Sequence, residues 1–311
     1  MNRPLSYWLN LALFTLAAST LAFGGMTLWL AYSRARMLVY PARRPAERTP
    51  DTVGLVGWET VTFRAPDGTR LEGWFVPPRA EHGAVIIFVH GLGSNRAHFL
   101  DEAAMLTKHG YGALLFDLRN HGTSEGTITT FGYFEVLDVH GAVEYLNTRR
   151  DMNAQRIAVM GDSMGGATAL LAGARIPSIR AVIAQSAFTS LEDNIAEGVE
   201  GLTGLPAFPF APLVSWFGER MTGISVRSVR PIDEIANISP RAVMLIHGQE
   251  DMLVPVRNAM QLYRAAREPK ELYIIPNVGH GGFYQADPSE YERRLVQFLQ
   301  SALLADWHLH P

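Results

Sequence analysis

Ser163 stands in Gly161-Asp162-Ser163-Met164-Gly165, directly behind the expected strand Arg156 to Met160 and ahead of small residues through Gly166, Ala167 and Ala169. A serine on a sharp strand-to-helix turn needs glycine two positions to either side, because the backbone there is strained and neighbouring elements crowd it. A serine hydroxyl is a poor nucleophile at neutral pH and requires a base within hydrogen-bond reach and a carboxylate to orient that base. The chain has no cysteine, which excludes a thiolate nucleophile, a disulfide framework and any cysteine-ligated metal. No paired-histidine helix motif and no complete phosphate-cradling glycine motif occurs, so the sequence predicts neither metal nor cofactor.

Three of the ten histidines follow the last apolar run, Leu272 to Ile275: His280, His308 and His310. His280 lies in the flexible Asn277-Val278-Gly279-His280-Gly281-Gly282 and is the expected base, whereas His308 and His310 belong to a polar tail. His140 falls mid-helix, and His247 shapes the turn after its own strand. Ile246-His247-Gly248-Gln249-Glu250-Asp251 closes the preceding apolar run, so Glu250 or Asp251 could supply the acid, with Asp233 and Glu234 as distant rivals. An acyl-transfer oxyanion needs preorganised backbone donors, each worth roughly 3 to 4 kcal/mol. The amide of Met164, at a helix start, is one candidate; Leu92 in His90-Gly91-Leu92-Gly93 is the other.

The elements that would position these residues follow from periodicity. Glu59 to Arg64 and Arg70 to Val76 alternate around Asp67-Gly68, a hairpin signal. Beyond it, continuous apolar runs at Ala84–Val89, Gly112–Phe116, Ile157–Met160, Ala181–Ala184, Ala242–Ile246 and Leu272–Ile275 alternate with helical-period segments. That pattern predicts an α/β fold: a mostly parallel central sheet with helices on both faces and an antiparallel edge. Ligands in such sheets gather at the carboxyl ends of the strands. Between Phe188 and Pro240 lie about fifty residues without a strand signal, too many for a structureless loop, and a helical cap over residues 189–240 is expected.

Pro4 to Ser33 carries no charge, enough helix to cross about 30 Å of hydrocarbon, with Tyr7, Trp8, Trp29 and Tyr32 as interfacial belts. A signal peptide, cut near Ala18 to Ala22, is the rival reading, but the apolar run is longer than such segments need. The sequence therefore divides into an N-terminal transmembrane anchor (1–36), a proline-marked linker (37–56) expected to hold the domain clear of the bilayer, and a catalytic domain (57–311). Arg34, Arg36, Arg43, Arg44 and Arg48 outnumber Arg3 across the span, which orients a single-pass protein with its catalytic domain toward the cytoplasm. A net charge of −3 gives no basic excess for nucleic acid, and leaves the bilayer and a small acyl substrate as the expected partners.

Taken in order, Asp67-Gly68 with Gly73-Trp74, His90-Gly91, Asp117-Leu118-Arg119-Asn120-His121-Gly122 with Ser124, the Ser163 turn, Gly248 to Asp251 and Gly279-His280 resemble the α/β-hydrolase superfamily. The mixture is similar to membrane-anchored, monoacylglycerol-lipase-like and serine-aminopeptidase-like esterases, over about Gly57 to Leu304. The resemblance implies Asp251 as the acid and structural roles for Asp117 and Arg119. Asn120 departs from it, since relatives usually carry glycine there. It implies hydrolysis of a carboxylic ester or thioester through an acyl-Ser163 intermediate; an amidase or peptidase would share the same residues, and a membrane-bound, non-catalytic binding protein could share the fold. Leu202, Leu205, Phe208, Phe210, Leu213, Trp216 and Phe217 suit either an acyl pocket or lid or an ordinary cap core.

Overall fold

The computed structural model describes residues 3–304. His308 and His310 lie outside the described residues. The described chain runs α1 (Leu5–Val39), β1 (Glu59–Arg64), β2 (Arg70–Val76), β3 (Val85–Val89), α2 (Leu100–Lys108), β4 (Gly112–Phe116), α3 (Glu135–Asn147), β5 (Ile157–Asp162) and α4 (Met164–Arg175). It continues through β6 (Ile179–Gln185), α5 (Leu191–Thr203), α6 (Ala207–Thr222), α7 (Pro231–Glu234), β7 (Ala242–Gly248), α8 (Arg257–Ala265), β8 (Lys270–Ile275), α9 (Phe283–Ala286) and α10 (Pro288–Leu303).

The strands form one sheet in the order β1-β2-β4-β3-β5-β6-β7-β8. The hairpin around Asp67-Gly68 pairs β1 with β2 antiparallel, β2 pairs β4 antiparallel, and every later neighbour is parallel. Continuous apolar runs are required because both faces are covered. Along β3, Val85, Ile87 and Val89 enter the core beneath α3 and α4, whereas Ile86 and Phe88 enter the second core with α2 and α10. The segment between β6 and β7 is helical through α5, α6 and α7, as its length and lack of strand signal require.

The N-terminal region differs from its sequence-based division. The α1 helix does not end at Arg36 but runs to Val39, and it has two parts. From Leu5 to Met26 its side chains are almost all exposed, and the helix as a whole is long and apolar enough to cross a membrane. Over its last turns Thr27, Ala31, Ala35 and Val39 form a buried stripe at four-residue spacing, and Tyr32 meets Phe217 of α6 edge-on at 5.4 Å. Small residues at these positions let α1 approach the cap closely.

Nor do residues 40–56 act as a free spacer. The Val39 carbonyl accepts from the Thr129 amide at 3.0 Å and the Asn120 side chain at 3.1 Å. Arg43 donates to the carbonyls of Gly122 and Ser124, Asn95 donates to Arg44 O at 3.1 Å, and Arg48 pairs with Asp101 at 2.7 Å. Proline spacing alone suggested a linker; these main-chain and ionic contacts, made to residues far along the chain, fasten it to the domain. Asn120 takes φ 60°, a left-handed backbone that asparagine tolerates and glycine prefers, and its amide binds the end of α1. A glycine there would keep the turn but lose that tie.

Candidate active site

Ser163 sits between β5 and α4 with φ 55° and ψ −117°, the strained turn anticipated from its flanking glycines. Steric necessity is visible at both glycines: a Cβ on Gly161 would lie 2.0 Å from the Gly165 carbonyl, and one on Gly165 would lie 2.0 Å from the Val89 carbonyl. Without a side chain at 161 the turn can close on itself, and without one at 165 it can seat against the end of β3.

His280, in the loop after β8, reaches Ser163 Oγ with Nε2 at 2.9 Å and Asp251 Oδ2 with Nδ1 at 2.7 Å. Chemistry assigns the proton on Nδ1 to the carboxylate bond, leaving Nε2 to accept from the serine hydroxyl. Asp251, after β7, is 4% exposed and fully engaged. Its Oδ1 accepts the amides of Leu253 and Val254, both at 2.9 Å, and its Oδ2 also accepts from Ser186 Oγ at 2.8 Å. Burial alone would raise its pKa; the nearby His247 ring, the hydrogen bond and charge of His280 and the Val254 amide outweigh it and hold the carboxyl far below the usual range. Burial likewise disfavours the imidazolium of His280, but the hydrogen bond and charge of Asp251 prevail, so His280 titrates above an ordinary histidine.

The structure thus brings together Ser163, His280 and Asp251, and leaves the rival acids elsewhere. The Glu250 side chain faces solvent, while Asp233 and Glu234 pair with Arg230 and Arg175. Among the other histidines, His247 Nε2 donates to the Val254 carbonyl at 2.7 Å, which shapes the loop bearing Asp251. His140 is at the surface, 3.9 Å from Glu144. Leu92 lines the cavity above Ser163, and Met164 opens α4, where its amide has no carbonyl a turn earlier to bind. The loop carrying Leu92 is held by His90, whose ring bonds the Leu118 amide at 3.0 Å and the Gly91 carbonyl at 2.8 Å. Asp117 binds the Arg96 amide at 2.7 Å and the Thr123 amide at 2.9 Å, and Arg119 forms a buried pair with Asp138 at 2.7 Å.

Sequence reasoning missed several residues of the site. Ser186, after β6, adds a hydroxyl donor to Asp251. His98 lies 3.2 Å from Asp162, within the serine turn itself. Arg34 and Leu38 of α1 line the same cavity as Ser163 and His280, with Phe131 and the cap residues Asn194, Ile195, Val199 and Val214. That cavity measures about 320 Å³, and beside it lies an apolar cavity of about 40 Å³ that shares Leu38, Phe131, Ile195 and Val214 with it. No local motif could reveal these walls, since they combine segments more than a hundred residues apart. The expectation that the anchor is insulated from the site therefore fails: its last turns are part of the wall.

Strand order, the serine turn after β5 and the acid and histidine loops after β7 and β8 are those of an α/β-hydrolase. Residues 80–239 match the model of the serine aminopeptidase S33 family, and the chain belongs to that family. The Escherichia coli (strain K12) protein YfhR is 33% identical over 252 residues, covering 79% of this chain and 81% of its own. The Arabidopsis thaliana α/β-hydrolase domain-containing protein WAV2 is 29% identical over 266 residues, covering 81% of each. Among solved structures, the Pyrococcus furiosus esterase Pf2001 superposes with a TM-score of 0.72 at 28% identity, covering 86% of this chain and 98% of its own. The chain is a hydrolase-family protein of serine hydrolase type.

Proposed function

We propose that this protein is a membrane-anchored serine esterase that cleaves carboxylic ester or thioester bonds of acyl or lipid-like substrates. The observation that carries the reading is the hydrogen-bonded chain Ser163–His280–Asp251 at the floor of a cavity with an apolar extension. The esterase activity named for Pf2001 supports the ester over the amide.

In this reading His280 Nε2 takes the Ser163 hydroxyl proton as Oγ adds to the acyl carbonyl. The negative oxygen is met by the amides of Leu92 and Met164. Collapse breaks the bond to the alkoxide or thiolate, which leaves with the proton from His280, and the acyl group stays on Ser163. Water, deprotonated by His280, then adds to the acyl carbonyl, the bond to Ser163 Oγ breaks with return of the proton from His280 to Oγ, and the acid is released. Asp251 remains ionised throughout, which its hydrogen bonds favour, and holds the imidazole in the useful tautomer.

The anchor belongs to the same proposal. The Leu5 to Met26 part of α1 would span the bilayer, because its exposed apolar side chains have no other solvent suited to them, and the arginine excess beyond it would keep the domain cytoplasmic. Phe208, Leu202 and Trp216 of the cap, exposed by 78%, 53% and 47%, would dip toward the lipid surface.

The test is labelling of the full chain in neutral detergent with a fluorophosphonate, followed by turnover of p-nitrophenyl esters of graded length and of an aminoacyl p-nitroanilide. Labelling confined to Ser163 with turnover of esters is the expected result. Faster cleavage of the anilide would replace the esterase with the peptidase reading, and absence of labelling would leave a non-catalytic protein.

A further inference from the structure

Arg34 is half-buried on the wall of the cavity that holds Ser163 and His280, one helical turn before Leu38 on the same face of α1. No hydrogen bond or ion pair to its guanidinium exists among the described residues. The other cations of this region are spent: Arg43 binds main-chain carbonyls, Arg48 binds Asp101, and Arg96 pairs with Asp117 at 3.2 Å. The carboxylate that lines the cavity, Asp162, turns its Oδ2 to His98 at 3.2 Å, while its buried Oδ1 has no hydrogen-bond partner among the described residues. Removing a guanidinium from water without a partner is unfavourable, and an anion entering the cavity would relieve that cost.

The remaining walls say what else the ligand carries. Leu38, Phe131, Ile195 and Val214 lead from the main cavity into the small apolar one, which Ala35, Val39 and Val226 also line. A ligand filling both needs an apolar tail, an acyl group at Ser163 and a negative charge. We propose that Arg34 is a specificity-determining residue, and that the substrates are single-chain acyl esters bearing an anionic group, a phosphate being best matched to the forked donors of a guanidinium. This rests on the esterase reading for its acyl group, whereas the anion site itself needs no catalysis. It also accounts for α1 ending inside the domain: the helix that tethers the protein supplies the charge that reads the headgroup.

The test separates binding from chemistry. Hexyl phosphate and hexanol are titrated calorimetrically against full-length Ser163→Ala protein in a neutral detergent, in an otherwise unchanged background and with Arg34→Gln, Arg34→Lys or the control Arg36→Gln added; Arg36 is exposed and outside the cavity. Arg34→Gln is expected to weaken hexyl phosphate at least tenfold while changing its ratio to hexanol by the same factor, Arg34→Lys to restore part of the affinity, and Arg36→Gln to match the background. Equal affinity for hexyl phosphate with and without Arg34, or equal losses from Arg34→Gln and Arg36→Gln, would overturn the proposal. In Ser163-containing protein, the ratio of kcat/KM for 1-hexanoylglycerol-3-phosphate to that for 1-hexanoylglycerol should fall at least tenfold in Arg34→Gln; an unchanged ratio overturns the substrate class. Failure of the esterase reading is read separately, from fluorophosphonate labelling.

Discussion

The floor and the roof of the cavity are built by different means. Ser163, His280 and Asp251 stand on turns at the carboxyl ends of three adjoining or near strands; main-chain hydrogen bonds fix Ser163 and Asp251, and the His280 ring is held between the two by its bonds to both. The roof is α1, α5 and α6, helices that bury one side and leave large apolar groups such as Phe208 and Trp216 in the open. A rigid floor suits chemistry, which tolerates little misplacement. The helices of the roof carry apolar walls of the cavity, Leu38, Ile195, Val199 and Val214 among them. In the proposed reading, turnover belongs to the floor and substrate binding to the roof.

The sharpest way to break that division is at Ser163. If Ser163, His280 and Asp251 act as the proposed triad, Ser163→Ala should abolish fluorophosphonate labelling and lower ester turnover on the order of 10⁶-fold, with an unchanged circular dichroism spectrum, because triad members act as a unit. Residual turnover near wild type would move the nucleophile elsewhere. Adding His280→Ala to this variant should cost little more.

Asp251→Asn should lower kcat by roughly 10⁴-fold, through loss of the charge and the tautomer it enforces. It should also shift the pH profile. In the proposed mechanism His280 works as a base only when neutral, and its pKa is raised mainly by Asp251 against the opposing effect of burial. Wild-type kcat/KM should therefore fall as pH drops through a value above the ordinary histidine pKa of about 6.5. In the residual activity of Asp251→Asn that limb should move to lower pH. A limb at the same pH in both proteins would mean that another group controls it. A fall caused by Glu250→Gln instead would reassign the acid.

The roof is probed by two truncations. Deleting residues 1–25 removes exposed helix only and should leave turnover of p-nitrophenyl butyrate near that of the full chain, with the protein released from membranes on fractionation. Deleting residues 1–36 also removes Ala31, Arg34 and Ala35, and should raise KM for this ester roughly tenfold, since a wall of the cavity is lost. Equal kinetics in the two truncations would show that α1 is a tether and nothing more.

The smallest effect is expected at Ser186, whose hydroxyl is one of several donors to Asp251. Ser186→Ala should lower kcat only several-fold, about 1 kcal/mol, because the Leu253 and Val254 amides and His280 keep the carboxylate satisfied. A loss as large as that of Asp251→Asn would make Ser186 indispensable to the orientation of the acid.

What the sequence determined by itself is what short stretches of chain encode. Apolar runs without alternation specify strands covered on both faces, and the register of the Asp67-Gly68 hairpin follows from its turn. The serine turn was legible because glycine at 161 and 165 answers a steric demand made within a few residues. His280 could be chosen because a flexible loop after the last strand is where the carboxyl edge lies; Asp251 was separated from Glu250 only by resemblance, since adjacent carboxylates look alike until the loop's hydrogen bonds turn one inward and leave the other in solvent. The tertiary structure alone decided the rest. That Thr27, Ala31, Ala35 and Val39 face a cap helix nearly two hundred residues away, and that Arg34 thereby enters the cavity of Ser163, depends on how α1 and α6 pack. An apolar helix with small residues reads the same in sequence whether lipid or protein surrounds each turn, because composition records that water is unwelcome and not which apolar surface replaces it.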